Sequence, residues 1–316
     1  MLHALICPNL VTKTGFRRLT QLRSLEEFHF VFEGAMYAFK NELFLIWCFE
    51  LLPQLHIAGL KAELGICREL LRTFGTNVST ALQHVRRPAG SRLQLQLRNL
   101  TLTNGVGFLN DIQLPQLKEL CITNPHQINI VDFSQFPNLD TLDASRLTEF
   151  DLNQILGRVG HQLTCLHFAS RVVIHLDEVL QMCPNLSELT LAVNSFRLSP
   201  AFQPQALQLT CLRILIFPTF FNFELYAPML RLLRLAPILS TLSLDLSMPN
   251  GQDLINLVQL AGQGHLQNLE EVEVSQLDLE NFCEVELGNL IQSFVSDCAK
   301  LHTLDLSDVD DQLDFN

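Results

Sequence analysis

Met182-Cys183-Pro184-Asn185-Leu186-Ser187-Glu188-Leu189-Thr190-Leu191-Ala192-Val193-Asn194 holds the pattern Leu-x-x-Leu-x-Leu-x-x-Asn, beginning at Leu186. Leu189 and Leu191 are two apart, as on a strand that buries one face, because strand side chains alternate sides with a period of two. The pattern is a repeat signature and predicts a short strand that turns on a buried asparagine, here Asn194. The first leucine of the same template falls at Leu117, Leu139, Leu163, Leu186, Leu212, Leu239, Leu269 and Leu301, with intervals of 22, 24, 23, 26, 27, 30 and 32 residues. Leu209 would also start the fifth of these units. Leu212 is preferred because it keeps the intervals smooth.

Between templates the apolar spacing changes from two to about 3.6, the period of an amphipathic helix. Residues 250–261 show it best, with Asn250 as N-cap and Gly262 as stop. Ile155, Leu156 and Val159 predict a second helix, and Leu287, Leu290, Ile291, Phe294 and Val295 a third. Val179 and Leu180 predict another, behind Asp177 and Glu178 at the end that favours negative charge. One strand-turn-helix unit cannot bury its own apolar face, whereas stacked units share a continuous core. The expected fold is therefore α/β: a curved solenoid with parallel strands on the concave face and helices on the convex face. It forms a single domain over 1–316, with irregular or degenerate repeats over 1–92, regular repeats over 93–307 and an acidic tail over 308–316. In the irregular part, Leu25 to Phe30 fits the strand template. Asn41 to Leu51 and Glu63 to Phe74 have helical spacing, with Pro53 and Gly75 as stops.

Charge is uneven. Residues 1–160 carry 15 basic and 14 acidic side chains, residues 161–316 carry 6 and 19, and the whole chain has a net charge of −12. An acidic surface repels phosphate, which argues against a nucleic-acid partner. No apolar run reaches the roughly 18 residues of a membrane span, and Met1 to Pro8 has no basic lead-in of a secretory signal. Nine cysteines scattered along the chain fit thiols in a reducing compartment, so the expected location is the cytoplasm or the nucleus.

The residues just ahead of the strands are Cys-Pro-Asn-Leu at 7–10 and 183–186, Phe-Pro-Asn-Leu at 136–139, Leu-Pro-Gln-Leu at 52–55 and 114–117, and Cys-Ala-Lys-Leu at 298–301. With them the chain resembles the leucine-rich repeat family, in its cysteine-containing, ribonuclease-inhibitor-like branch, best known as the substrate-binding half of F-box proteins. The resemblance implies protein binding and, in the F-box setting, substrate recognition for a ubiquitin ligase that works with a Skp adaptor and a cullin. No segment of this sequence resembles the F-box module itself. The resemblance thus implies either an adaptor-binding part outside this sequence or a freestanding module that occludes a basic partner.

No Walker A loop, Gly-x-Ser-x-Gly elbow or His-Glu-x-x-His pattern is present, and neither a cofactor nor a resident metal is expected. Gly105 and Gly107 lack a third glycine and read as a turn. Arg86, Arg87, Arg92 and Arg98 read as a solvated loop. Cys298 and His302 lack a second ligand pair, and a closed zinc site needs four ligands. Cys165 and His167 share a strand face without an orienting acid, so no catalytic residue is assigned and the chain reads as a non-enzyme.

The third, fifth and seventh template positions point away from the core. Apart from the 212 unit they hold no Lys or Arg. They include Glu119, Asp143, His167, Glu188, Asp245, Glu271, Glu273 and Asp305, a ladder suited to a protein partner with a basic surface. In the preferred register of the 212 unit, Ile214 and Ile216 point outward and Phe220 and Phe221 follow, forming a possible apolar anchor.

Overall fold

A computed structural model describes residues 2–6, 25–30, 62–64, 93–94, 99–105, 109–110, 112–126, 131–203, 207–217, 226–248, 252–277 and 284–307. The strands are β1 (Leu2–Ile6), β2 (Leu25–Phe30), β3 (Ala62–Leu64), β4 (Leu93–Gln94), β5 (Asn99–Gly105), β6 (Ile112–Gln113), β7 (Glu119–His126), β8 (Thr141–Ser145), β9 (Cys165–His175), β10 (Glu188–Arg197), β11 (Cys211–Ile216), β12 (Thr241–Met248), β13 (Glu271–Leu277) and β14 (Thr303–Ser307). The helices are α1 (Glu149–Val159), α2 (Leu176–Met182), α3 (Tyr226–Leu235), α4 (Gln252–Gly262) and α5 (Glu284–Asp297). The protein is α/β, and every described strand pairing is parallel. The chain forms two compact units, Met1–Leu163 and Thr164–Asn316.

In the first unit β3, β5, β7 and β8 pair in chain order, while β1 pairs with β2 and β4 with β6. Leu120 and Ile122 of β7 and Leu142 and Ala144 of β8 are buried, as the alternation predicts. The helix expected around Ile155 is α1, which buries Leu152, Ile155, Leu156 and Val159. Thr148 caps it by accepting from the Asp151 N–H, a contact that contributes about 1 kcal/mol.

In the second unit β9 to β14 pair in chain order. Parallel neighbours need a crossover, and α2, α3, α4 and α5 supply it between most of them, with α4 packing on both α3 and α5. The helices expected at 177–180, 250–262 and 287–295 are thus observed. Helix α4 ends at Gly262, the expected stop, and the left-handed residue that closes the turn is Gly264 (φ 81°). The N–H of His265 reaches back to Leu260 O and that of Gly264 to Ala261 O, a Schellman closure that favours glycine at the positive φ. Asn250 lies outside the described residues.

In six units the residue after the first leucine joins consecutive strands. Thr164 O accepts the N–H groups of Ser187 and Glu188, and Ser187 O those of Thr210 and Cys211. Thr210 O, Ser240 O and Glu270 O do the same for residues 240–241, 270–271 and 302–303, and Lys118 O does it for 140–141 in the first unit. The asparagine just ahead of the first leucine has a similar structural use at Asn138 and Asn268. Asn138 Nδ2 donates to Pro115 O at 2.7 Å, and Asn268 Nδ2 to Pro237 O at 2.9 Å. At these two positions a short amide ties the connection to the preceding one and satisfies a carbonyl that the turn leaves open.

Four expectations are corrected. First, Leu212 is not the first leucine of its unit. It sits beside Leu189 and Leu242, so the template starts at Leu209, and the two intervals around it become 23 and 30 residues. Core burial outweighs even spacing, because a slip of one residue would turn the apolar set of the strand outward. Second, Asn194 does not end its strand. β10 continues to Arg197 through a register irregularity near Val193 to Ser195, and Asn194 Nδ2 donates to Arg171 O at 3.1 Å. Third, Glu63 and Leu64 lie in β3 and not in a helix. Fourth, the connection from β10 to β11 has no helix among its described residues. The remaining expectations at 41–51, 65–75, 86–92 and 308–316, together with Arg98 and Gly107, lie outside the described residues.

Candidate functional site

The residues between the buried positions form a face. In the second unit the strand register lays them out in rows. One row runs Cys165, Glu188, Cys211, Thr241, Glu271, Thr303, and the next runs His167, Thr190, Arg213, Ser243, Glu273, Asp305. The third row begins Ala169, Ala192, Leu215, Asp245, Ser275. Lateral neighbours are about 4.8 Å apart along a row, and successive rows about 6.6 Å. In the first unit Glu119 and Asp143 occupy the corresponding face of β7 and β8, where Glu119 is exposed and Asp143 half-buried.

The corrected register changes the composition of the face. Ile214 (1% exposed) and Ile216 (7%) belong to the core, so they cannot be an outward apolar anchor. Burial alternates along β11, and Cys211, Arg213 and Leu215 take the outward positions in their place. Phe220 and Phe221 lie outside the described residues. Phe217 is half-buried, with the Arg171 guanidinium 5.7 Å from its ring centroid. Arg213 thus adds a basic residue to the face, from the unit left out of that expectation.

The acidic residues concentrate at one end. Across β12 to β14 the outward positions hold Asp245, Glu271, Glu273 and Asp305 without a Lys or Arg. Glu273 and Asp305 are lateral neighbours and both are exposed, and Glu271 shares their surface one row away. Ser243 Oγ donates to Glu273 Oε2 at 2.9 Å. Asp245 is half-buried beside Leu215, and its Oδ1 has no hydrogen-bond partner among the described residues. Burial, and secondarily the Glu273 charge, push its carboxyl above the usual carboxylate range. Like charges on adjacent strands destabilise a sheet.

A different cluster lies at the other end of the unit. Cys165 Sγ is 3.3 Å from His167 Nε2 and 3.7 Å from Glu188 Oε2. The acid that seemed to be missing from this pair comes from the next strand, at the lateral position opposite Cys165. Both residues occupy the third position of consecutive templates, a coincidence visible in the sequence only once parallel in-register stacking is assumed. The order of contacts is imidazole, thiol, carboxylate. A nucleophilic triad needs the acid to orient the imidazole from its far side, so this arrangement does not build one. One strand further on, burial pushes the Cys211 thiol up, Arg213 opposes that shift, and Glu188 and Glu271 add to it.

Cys298 and His302 do not converge. Cys298 is buried, with its thiol pushed up to about 11 by burial and then by Asp297, while the exposed His302 ring meets Thr303 Oγ1 at 3.0 Å. No helix among the described residues is long and apolar enough to cross a membrane. No protein-family model matches the chain, and no curated protein matches it either.

Proposed function

We propose that the chain is a leucine-rich-repeat solenoid of the ribonuclease-inhibitor-like type that binds a basic segment of another protein on its strand face. Its outer strands β12 to β14 make the main contact. Support for the repeat reading comes from the carbonyl that accepts two N–H groups at equivalent positions of six units and from the amide that ties Pro115 to Asn138 and Pro237 to Asn268. The observation that carries the binding reading is the grouping of Asp245, Glu271, Glu273 and Asp305 on adjacent strands without a basic residue among them. Their mutual repulsion is relieved when a partner supplies lysine or arginine, and a field of one sign speeds encounter with such a partner.

Within this reading the biological role is substrate recognition for an F-box-type ubiquitin ligase, an assignment that rests on the family resemblance. The test uses the full chain as bait at low and at moderate salt, with the double variant E271K/E273K beside it. The expected outcome is capture of proteins with basic segments that weakens with salt and is lost in the variant, along with recovery of a Skp adaptor and a cullin when the native protein is isolated from its cells. Salt-independent capture, shared equally by the variant, would refute the acidic-face reading. Isolation without adaptor or cullin would instead leave a freestanding binder.

A further inference from the structure

The cluster of Cys165, His167 and Glu188 has the geometry of a metal site, and we infer that it binds a single zinc ion, independently of the partner-binding reading. The three potential ligand atoms, a sulfur, a nitrogen and an oxygen, all lie within 4.8 Å of one another. With bonds of about 2.3 Å to sulfur and about 2.0–2.2 Å to nitrogen and oxygen, a tetrahedral zinc site has sulfur-to-nitrogen and sulfur-to-oxygen edges of about 3.6 Å. The observed edges are 3.3 Å and 3.7 Å, so small side-chain rotations complete three corners of the tetrahedron.

The strand scaffold accounts for this convergence. Cys165 and His167 are two apart on β9 and therefore on one face, and the register sets Glu188 of β10 directly beside Cys165. Cys165 and His167 are half-buried and Glu188 is exposed, so an ion can enter from solvent and the fourth position stays open to water. A thiolate and an imidazole disfavour calcium and magnesium, which take oxygen ligands, whereas the mixed sulfur, nitrogen and oxygen set suits zinc. Binding forms one sulfur-to-zinc bond and breaks the Cys165 S–H bond, whose proton leaves to solvent. The neutral imidazole donates through Nε2 and keeps its remaining proton on Nδ1. The doubly charged ion balances one thiolate and one carboxylate, so the loaded site adds no net charge of its own.

Cobalt(II) is the probe, because cobalt bound to a cysteine thiolate absorbs in the near ultraviolet. The reduced full chain is titrated at neutral pH, and zinc is then added to displace the cobalt. A saturable thiolate-to-cobalt band that zinc bleaches is expected for the native chain and for Cys121→Ser, and its disappearance is expected for Cys165→Ser. Glu188→Gln changes an exposed residue and leaves the fold intact. It should weaken cobalt and zinc binding by more than the roughly 10- to 100-fold that follows loss of an outer-shell partner. Absence of the band in the native chain, a band that survives Cys165→Ser, or unchanged affinity in Glu188→Gln would each overturn the assignment.

Discussion

Replacing Ile214 and Leu215 one at a time by alanine tests the register of β11. The two residues are adjacent, apolar and close in size, but the strand turns them to opposite sides. Ile214 is 1% exposed and lies between Leu191 and Leu244 of the flanking strands, both fully buried. Leu215 lies half-buried on the outer face between Ala192 and Asp245. Removing a fully buried isoleucine side chain costs about 2–5 kcal/mol in lost transfer energy and cavity formation. A central value of about 3 kcal/mol lowers the folding constant more than 100-fold. With a urea slope of about 2 kcal/mol/M, the midpoint for the second unit should fall by about 1.5 M. For Leu215→Ala, which leaves no internal cavity, a loss of about 1 kcal/mol or less is expected. Urea titrations followed by far-ultraviolet circular dichroism measure both. If Leu215→Ala proved the more damaging change, the strand would have the opposite register, with Leu212 leading its template and Ile214 facing solvent.

Two further consequences concern titrating groups. The carboxyl of Asp245 titrates above its usual value of 3.8, so its favourable contribution is complete below that value and is lost as pH rises through the shifted one. At neutral pH Asp245→Asn should therefore stabilise the fold and weaken capture of basic partners. Stabilisation with undiminished capture would remove Asp245 from the binding surface. Burial pushes the Cys183 thiol up to about 12 and that of Cys298 up to about 11, so both stay neutral at pH 8 in the folded protein. Mass spectrometry after brief alkylation should find both unmodified until denaturant is added. The stability they contribute should decline as pH rises from about 9 towards those values. Rapid native labelling of Cys183 would contradict its burial.

How far the sequence could be read depended on what each residue does. Leucines at positions one, four and six announce a buried strand face because alternation is local, and β7, β8, β10, β12, β13 and β14 occur where that pattern places them. Helices α1, α2, α4 and α5 follow from local periodicity in the same way. The choice between Leu209 and Leu212 could not be made locally, since Leu212, Ile214, Leu215 and Ile216 fill either face with apolar atoms. Only contact with Leu189 and Leu191 on one side and Leu242 and Leu244 on the other decides it, because those neighbours bury one set and leave the other half-exposed.

The candidate sites divide along the same line. That Glu271, Glu273 and Asp305 face outward is a property of their own strands, and the sequence determines it. That Arg213 joins the face, that Asp245 loses solvent beside Leu215, and that Glu188 reaches Cys165 are facts about neighbouring strands more than twenty residues away in the chain. The sequence by itself therefore determined the class of the fold, the identity of most core residues and the sign of the outer face. The tertiary structure alone decided which outward residues touch, because side-chain chemistry across strands depends on register, and register is set by burial summed over several strands at once.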